Sequence, residues 1–202
     1  MNYLGHLLLT YPDTGLTMGN LLGDMIRAKQ LEGLPENVRR GVDIHHVIDK
    51  FTDTHPGVRK LTELVRPVHG RYAPVVIDIL LDHVLALQWE EHASIPFLPF
   101  TEWVYHVMVP AETHVVPGPV ADRITSMARH RWLDGYPTVG GMAYVLARMD
   151  RRASFPSRFT EAMADLRKHQ QLFEEEFRLF YAELSTVLVR EFPGVEAVLS
   201  AS

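Results

Sequence analysis

The chain has 202 residues, 47% of them hydrophobic and 22% charged, which is enough material for one globular domain with a sizeable core. Its 20 Lys and Arg against 25 Asp and Glu leave a formal charge of −5, so no global basic field is available to drive nucleic-acid binding. Cysteine is absent, which excludes disulfides, thiolate metal sites and cysteine nucleophiles, while 11 histidines keep imidazole chemistry open.

The opening segment, MNYLGHLLLTYPD, has no basic stretch ahead of its apolar run and does not resemble a secretory leader, so a cytoplasmic location is expected. If this segment is helical, Asn2 and His6 share a face. Apolar periodicity then predicts helices over about 17–32, 36–53, 57–70, 74–92, 97–112, 119–133, 137–150 and 157–191. Prolines at 35, 56, 74, 96, 137 and 156 sit near the starts of these stretches, where a first helical turn tolerates them. Strand alternation and two-residue hairpin signals are missing. No repeat, low-complexity tract or Gly-Ser linker divides the sequence. The expectation is a single all-α bundle over residues 1–202 with a long C-terminal helix.

Within that frame, polar groups fall where apolar ones are expected. In MGNLLGDMIR, Asn20, Asp24 and Arg27 form a polar stripe beside Leu21, Leu22, Met25 and Ile26; an intrahelical Asp24–Arg27 pair is the plain explanation. In GVDIHHVIDKFTD, His45 and Asp49 stand four residues apart along the margin of an apolar face, with Thr52 and Asp53 following, and His46 points away. Together His45 and Asp49 can hold one cation, or pair with each other. The run VVIDILLDHVLALQW is apolar on nearly every side yet carries Asp78, Asp82 and His83. Those three interrupt it too closely for a membrane span. Burying the two carboxylates calls for a facing cation, either an arginine or a metal ion. In the last helix Met163, Leu166, Phe173, Phe177, Phe180, Leu184 and Leu188 make one apolar stripe, which reads as a structural strut. Convergence of the His, Asp and Asn margins inside a bundle points to a metal-dependent hydrolase. No His-Glu-x-x-His, P-loop or nucleophile-elbow motif offers other chemistry.

These same residues resemble the acyl carrier protein phosphodiesterase family, a divergent branch of the HD phosphohydrolases. The resemblance is carried by Met1-Asn2-Tyr3-Leu4-Gly5-His6-Leu7, by Gly19-Asn20-Leu21-Leu22-Gly23-Asp24 with Arg27, by His45-x-x-Ile48-Asp49-x-x-Thr52-Asp53, and by Asp78-x-x-x-Asp82-His83 with Trp89. Weaker likeness runs through Trp132-Leu133, Tyr136 and Arg148–Arg152 to Phe177, Phe180 and Tyr181. In two places the sequence departs from the pattern. The adjacent pair Asp82-His83 reverses the usual His-Asp doublet, and His46 stands where a family member can carry Arg.

The resemblance implies an HD-like all-α fold and removal of the 4′-phosphopantetheine arm from the serine of holo-acyl carrier protein, with manganese as the expected ion and magnesium, iron or cobalt as alternatives. The expected metal ligands are Asp24, His45, Asp82 and His83, with Asp49 a fifth ligand or the partner of His45. His6 is the candidate for proton transfer to the leaving serine oxygen or for a phosphate hydrogen bond, and Arg27 for holding a phosphate oxygen. Asn2 and Asn20 are expected to position substrate or to buttress the site, and Asp78 to orient His83 or pair with an arginine. An acidic carrier protein requires a locally basic docking surface, from Arg39, Arg40, Lys50, Arg59 and Lys60 or from Arg148, Arg151 and Arg152. Neither nucleic acid nor membrane is an expected partner, and the sequence leaves the oligomeric state open. Three other readings stay in play: an HD-like phosphohydrolase acting on a nucleotide or other small phosphodiester, a non-catalytic helical module that binds carrier protein, and a structural bundle whose Asp and His residues are merely paired.

Overall fold

A computed structural model describes residues 1–109, 116 and 118–195. In chain order the helices are α1 (Tyr3–Leu8), α2 (Thr14–Leu22), α3 (Ala28–Leu31), α4 (Glu36–Thr54), α5 (Pro56–His69), α6 (Ala73–Leu87), α7 (Trp89–His92), α8 (Phe97–Met108), α9 (Gly118–Arg129), α10 (Val139–Arg152), α11 (Ala162–Lys168) and α12 (Gln170–Glu191). No strand occurs among the described residues, as the missing alternation predicts. No helix among them is long and apolar enough to cross a membrane.

α6 is the centre of the bundle. Val76, Ile77, Ile79, Leu80, Leu81 and Leu85 are fully buried on it, and α1, α5, α11 and α12 pack around it. The apolar stripe of α12 behaves as its spacing predicts, with Phe173, Phe177, Phe180, Leu184 and Leu188 all buried. α2 and α4 cross with their backbones in contact. A Cβ at Gly19 would stand 1.9 Å from the carbonyl oxygen of Val38, and one at Gly41 would stand 2.2 Å from that of Leu16. Only glycine permits this approach, which carries the end of α2 onto the middle of α4.

Several predicted helices prove to be broken, each for a local reason. The stretch 17–32 starts earlier, at Thr14, because the Asp13 side chain accepts the Leu16 N–H at 2.8 Å. It then stops at Leu22, and only the short α3 follows. The stretch 74–92 breaks at Gln88, where ψ reaches 24°. The long C-terminal helix is divided at His169 into α11 and α12, after a turn held by Asp150, whose carboxylate accepts the N–H groups of Phe159 and Thr160. Residues 119–133 end as a helix at Arg129, and Arg131 takes a left-handed conformation with φ 49°. The last three residues of the predicted 97–112 helix lie outside the described residues.

Candidate metal centre and cleft

α1 is short and is anchored from its N-terminal end. The Asn2 side chain accepts the Tyr3 N–H at 2.9 Å, and Asp82 on α6 accepts N–H groups from Asn2, Leu4 and Gly5 at 3.1, 2.7 and 3.2 Å. Free backbone donors at a helix start are a natural receptor for a carboxylate, and they account for a fully buried aspartate in an apolar helix. Burial pushes the Asp82 carboxyl up to about 7 against the pull of those donors.

This anchoring presents His6 to Asn20 of α2. The Asn20 side-chain N–H donates to the His6 carbonyl at 2.7 Å, which fixes the orientation of the amide. Its oxygen, 2.8 Å from His6 Nδ1, is then an acceptor, so the proton of the neutral imidazole belongs on Nδ1. Burial foremost lowers the His6 pKa and keeps the ring neutral. The lone pair on Nε2 therefore faces Asp49 Oδ1 at 3.2 Å. Two acceptors at that separation are unfavourable neighbours unless a cation lies between them.

His45 and Asp49, one turn apart on α4, complete the group. His45 Nε2 lies 3.0 Å from Asp49 Oδ2 and 3.3 Å from Asp24 Oδ1, yet the ring nitrogen is buried without a properly directed hydrogen bond. One donor atom from each of His6, His45 and Asp49 lies within 4.8 Å of the others. Gly23 makes room, because a Cβ there would sit 2.2 Å from the His45 ring. Although burial pulls His45 down, the Asp24 and Asp49 carboxylates push it up to about 9. Asp49, despite its own burial, is held well below the usual carboxylate range chiefly by its contact with the His45 imidazole. Asp24, the most exposed of the set, is lowered chiefly by its contact with His45. Two neutral-capable imidazoles, a carboxylate between them and a second carboxylate alongside fit a divalent transition ion or magnesium.

Asp24 and Asp49 open into a cleft of about 440 Å³, within the usual range for small-molecule sites. Asn2, Tyr3, Thr52, Asp53 and Asp78 line it, together with Arg123, Trp132, Tyr144, Arg148 and Arg152. Arg123 donates to the Tyr3 hydroxyl. Burial raises the pKa of that hydroxyl; Asp24 raises it further while Arg123 and Arg152 lower it, so Tyr3 stands where the acidic and basic groups of the cleft meet.

The family model for acyl carrier protein phosphodiesterase matches residues 1–184. The chain belongs to that family. Relatives of that name include one from Photorhabdus laumondii subsp. laumondii, 31% identical over 90% of this chain and 91% of its own. Another, from Enterobacter sp. (strain 638), is 30% identical over 91% of this chain and 95% of its own. The relative from Escherichia coli K12 is 29% identical over the same shares. No solved structure matches the chain.

Of the expected site residues, the fold brings Asp24, His45 and Asp49 together and adds His6 to them. It places the expected ligands Asp82 and His83 elsewhere. Asp82 serves α1, and His83 Nδ1 donates to the Tyr136 carbonyl. Asn20 is 1% exposed and bonded to His6, which fits the second of its two expected roles, a support of the site. Asn2 does line the cleft while capping α1. Arg27 forms no pair with Asp24; its backbone caps the short α3 at an exposed position. Asp78 lies 2.8 Å from the Met1 amino nitrogen and orients neither His83 nor an arginine. His46 is exposed, as its face predicts. Sequence reasoning passed over Arg123 and Tyr144. Tyr144, Arg148 and Arg152 do carry a legible signal: at steps of four they form one line along α10.

Proposed function

We propose that the protein is a divalent-metal-dependent phosphodiesterase that releases 4′-phosphopantetheine from the serine of holo-acyl carrier protein. The observation that carries the metal dependence is the His6 imidazole, whose proton is committed to Asn20 while its lone pair faces a carboxylate oxygen at 3.2 Å. His6, His45 and Asp49, with Asp24 beside them, are the residues that would hold the ion, and manganese suits their mixed nitrogen and oxygen donors. An ion held there would supply positive charge against the phosphoryl oxygens and make a water acidic enough to react near neutrality.

The roles of the chain's own groups follow from their bonds. Asn20 fixes the tautomer and direction of His6. Asp49 stands between the two imidazoles, one oxygen near each, and its contact with His45 directs that ring toward the point His6 faces. Gly23 leaves His45 the space to lie there. His6, expected to pass a proton to the leaving serine oxygen, is better assigned as a ligand, since its one proton is engaged with a buried amide. Asp24 and Asp49 face both the cluster and the cleft, so a phosphodiester entering the cleft meets the site directly. The relatives' name supports the carrier-protein substrate, and the lack of cysteine is in keeping with a cytoplasmic setting.

The test is the intact mass of holo-acyl carrier protein after incubation with the purified protein, with manganese or with chelator. Loss of the phosphopantetheine mass only with manganese is expected. An unchanged mass from folded, manganese-loaded protein would overturn the carrier-protein reading, and turnover of a small phosphodiester under the same conditions would replace it.

A further inference from the structure

One part of the cleft is built from cations and rings rather than carboxylates. The Arg148 guanidinium lies 4.0 Å from the centroid of the Trp132 ring and 5.7 Å from that of Tyr144, and Arg152 lies 5.8 Å from Trp132. Arg131, also in the lining, is neutralised by Glu102 at 2.8 Å and by Asp134. By contrast, no carboxylate among the described residues lies within ion-pair distance of Arg123, Arg148 or Arg152. The other basic groups expected to receive a partner are partly committed: Lys60 to Glu176, Arg59 to the Asp53 carbonyl and Arg40 to the Pro193 carbonyl.

A chain with a net charge of −5 thus sets three guanidinium groups without a contact carboxylate in the lining of one cleft, which Asp24, Asp49, Asp53 and Asp78 also line. A guanidinium without a contact carboxylate leaves its N–H donors open to an anion. A guanidinium resting over an indole is attracted to the ring face and keeps its in-plane N–H donors available as a planar fork, the geometry that suits phosphoryl oxygens. The cleft is also too large for a bare phosphate, and Trp132, Tyr144 and Tyr3 offer apolar surface beside the arginines.

We propose that Arg148, braced on Trp132 and aided by Arg152 and Arg123, is the phosphoryl receptor of the cleft, with the neighbouring rings taking the organic chain of a phosphate ester. For the identity of the ester this rests on the phosphodiesterase reading; the presence of an anion site does not.

The test is calorimetric titration of 4′-phosphopantetheine, of inorganic phosphate and of unphosphorylated pantetheine into chelator-treated and manganese-loaded protein. Tryptophan emission is followed in parallel. Wild-type protein is expected to bind the phosphorylated compound and to bind pantetheine far more weakly. Arg148→Met should weaken 4′-phosphopantetheine roughly 10- to 100-fold, the loss of a charge-assisted bidentate contact. Arg148→Lys should recover part of the affinity. Arg158→Ala, which removes an arginine paired with Glu161, should leave binding unchanged. With holo-acyl carrier protein the Arg148 variants should raise KM more than they lower kcat. Arg152→Met gives a second decrease should Arg148→Met fold poorly. Equal affinity of the wild type and both Met variants, equal affinity for pantetheine, or no phosphate-dependent binding by the wild type would overturn the proposal. Arg148-dependent binding without carrier-protein cleavage would remove the function and leave the receptor. Cleavage with Arg148-independent binding would do the reverse.

Discussion

The Asn20–His6 pair offers the most direct check on the metal centre, because Asn20 reaches the site only through His6. Asn20→Ala removes the acceptor for His6 Nδ1–H and the donor to the His6 carbonyl, bonds of 2.8 and 2.7 Å in a setting where Asn20 is 1% exposed. Leaving a buried polar group without its partner costs about 1–3 kcal/mol, and the His6 carbonyl keeps a weaker contact with the Thr10 hydroxyl at 3.3 Å. A loss of roughly 2–4 kcal/mol is therefore expected, lowering Tm by about 2–4 °C for each kcal/mol in a chain of this size. Once freed, the His6 proton can move to Nε2, the nitrogen needed as a ligand. Manganese affinity should fall about 10- to 100-fold, as when the hydrogen-bonding partner of a ligating histidine is removed. Calorimetric titration of manganese and thermal unfolding in chelator measure the two effects separately. Asn20→Asp keeps an acceptor for Nδ1 but replaces the donor to the His6 carbonyl with an oxygen. It should lose stability while retaining the ion better than Asn20→Ala. Unchanged manganese affinity in Asn20→Ala, with only KM raised, would refute the tautomer argument and return Asn20 to a substrate contact.

Two further outcomes follow from the same geometry. Asp82→Ala leaves three N–H groups at the start of α1 without their acceptor and should cost on the order of 3 kcal/mol, seen as a lower Tm, while manganese stoichiometry in the folded variant stays at the wild-type value; loss of the ion from folded protein would restore Asp82 to the ligand set. The pH dependence of the metal-free protein should show His45. With a folded pKa raised to about 9, its protonated form contributes stability that is complete below about 6.5 and is lost as pH rises through about 9. The ion requires the neutral ring, so manganese affinity should fall as pH is lowered below about 9, by up to tenfold per unit. Thermal unfolding and manganese titration between pH 6.5 and 9 check both slopes; a flat affinity profile would remove His45 from the site.

Periodicity carried much of this protein in legible form. The all-α class, the buried α6, the stripe of α12 and the shared face of His45 and Asp49 all follow from 3.6 residues per turn, a rule that acts over a few residues. Helix ends were less legible, because they depend on one side chain or one neighbour: Asp13 starts α2, Asp150 holds the turn before α11, and Gly23 yields its space to a ring from α4. The roles of the buried ionisable groups were decided by the tertiary structure alone. In the sequence, Asp82-His83 and His6 share one signal, polar groups set in apolar stretches, although the resemblance gives them different roles. What separates them is the group each one meets across the bundle: free helix N–H donors for Asp82, the Tyr136 carbonyl for His83, an oriented amide and a carboxylate for His6. The same holds for the arginines. Arg131 and Arg148 are alike as letters, and only the fold gives one its carboxylates and leaves the other free over an indole ring. A buried charge must be compensated by a partner at contact distance, and that partner can lie anywhere along the chain.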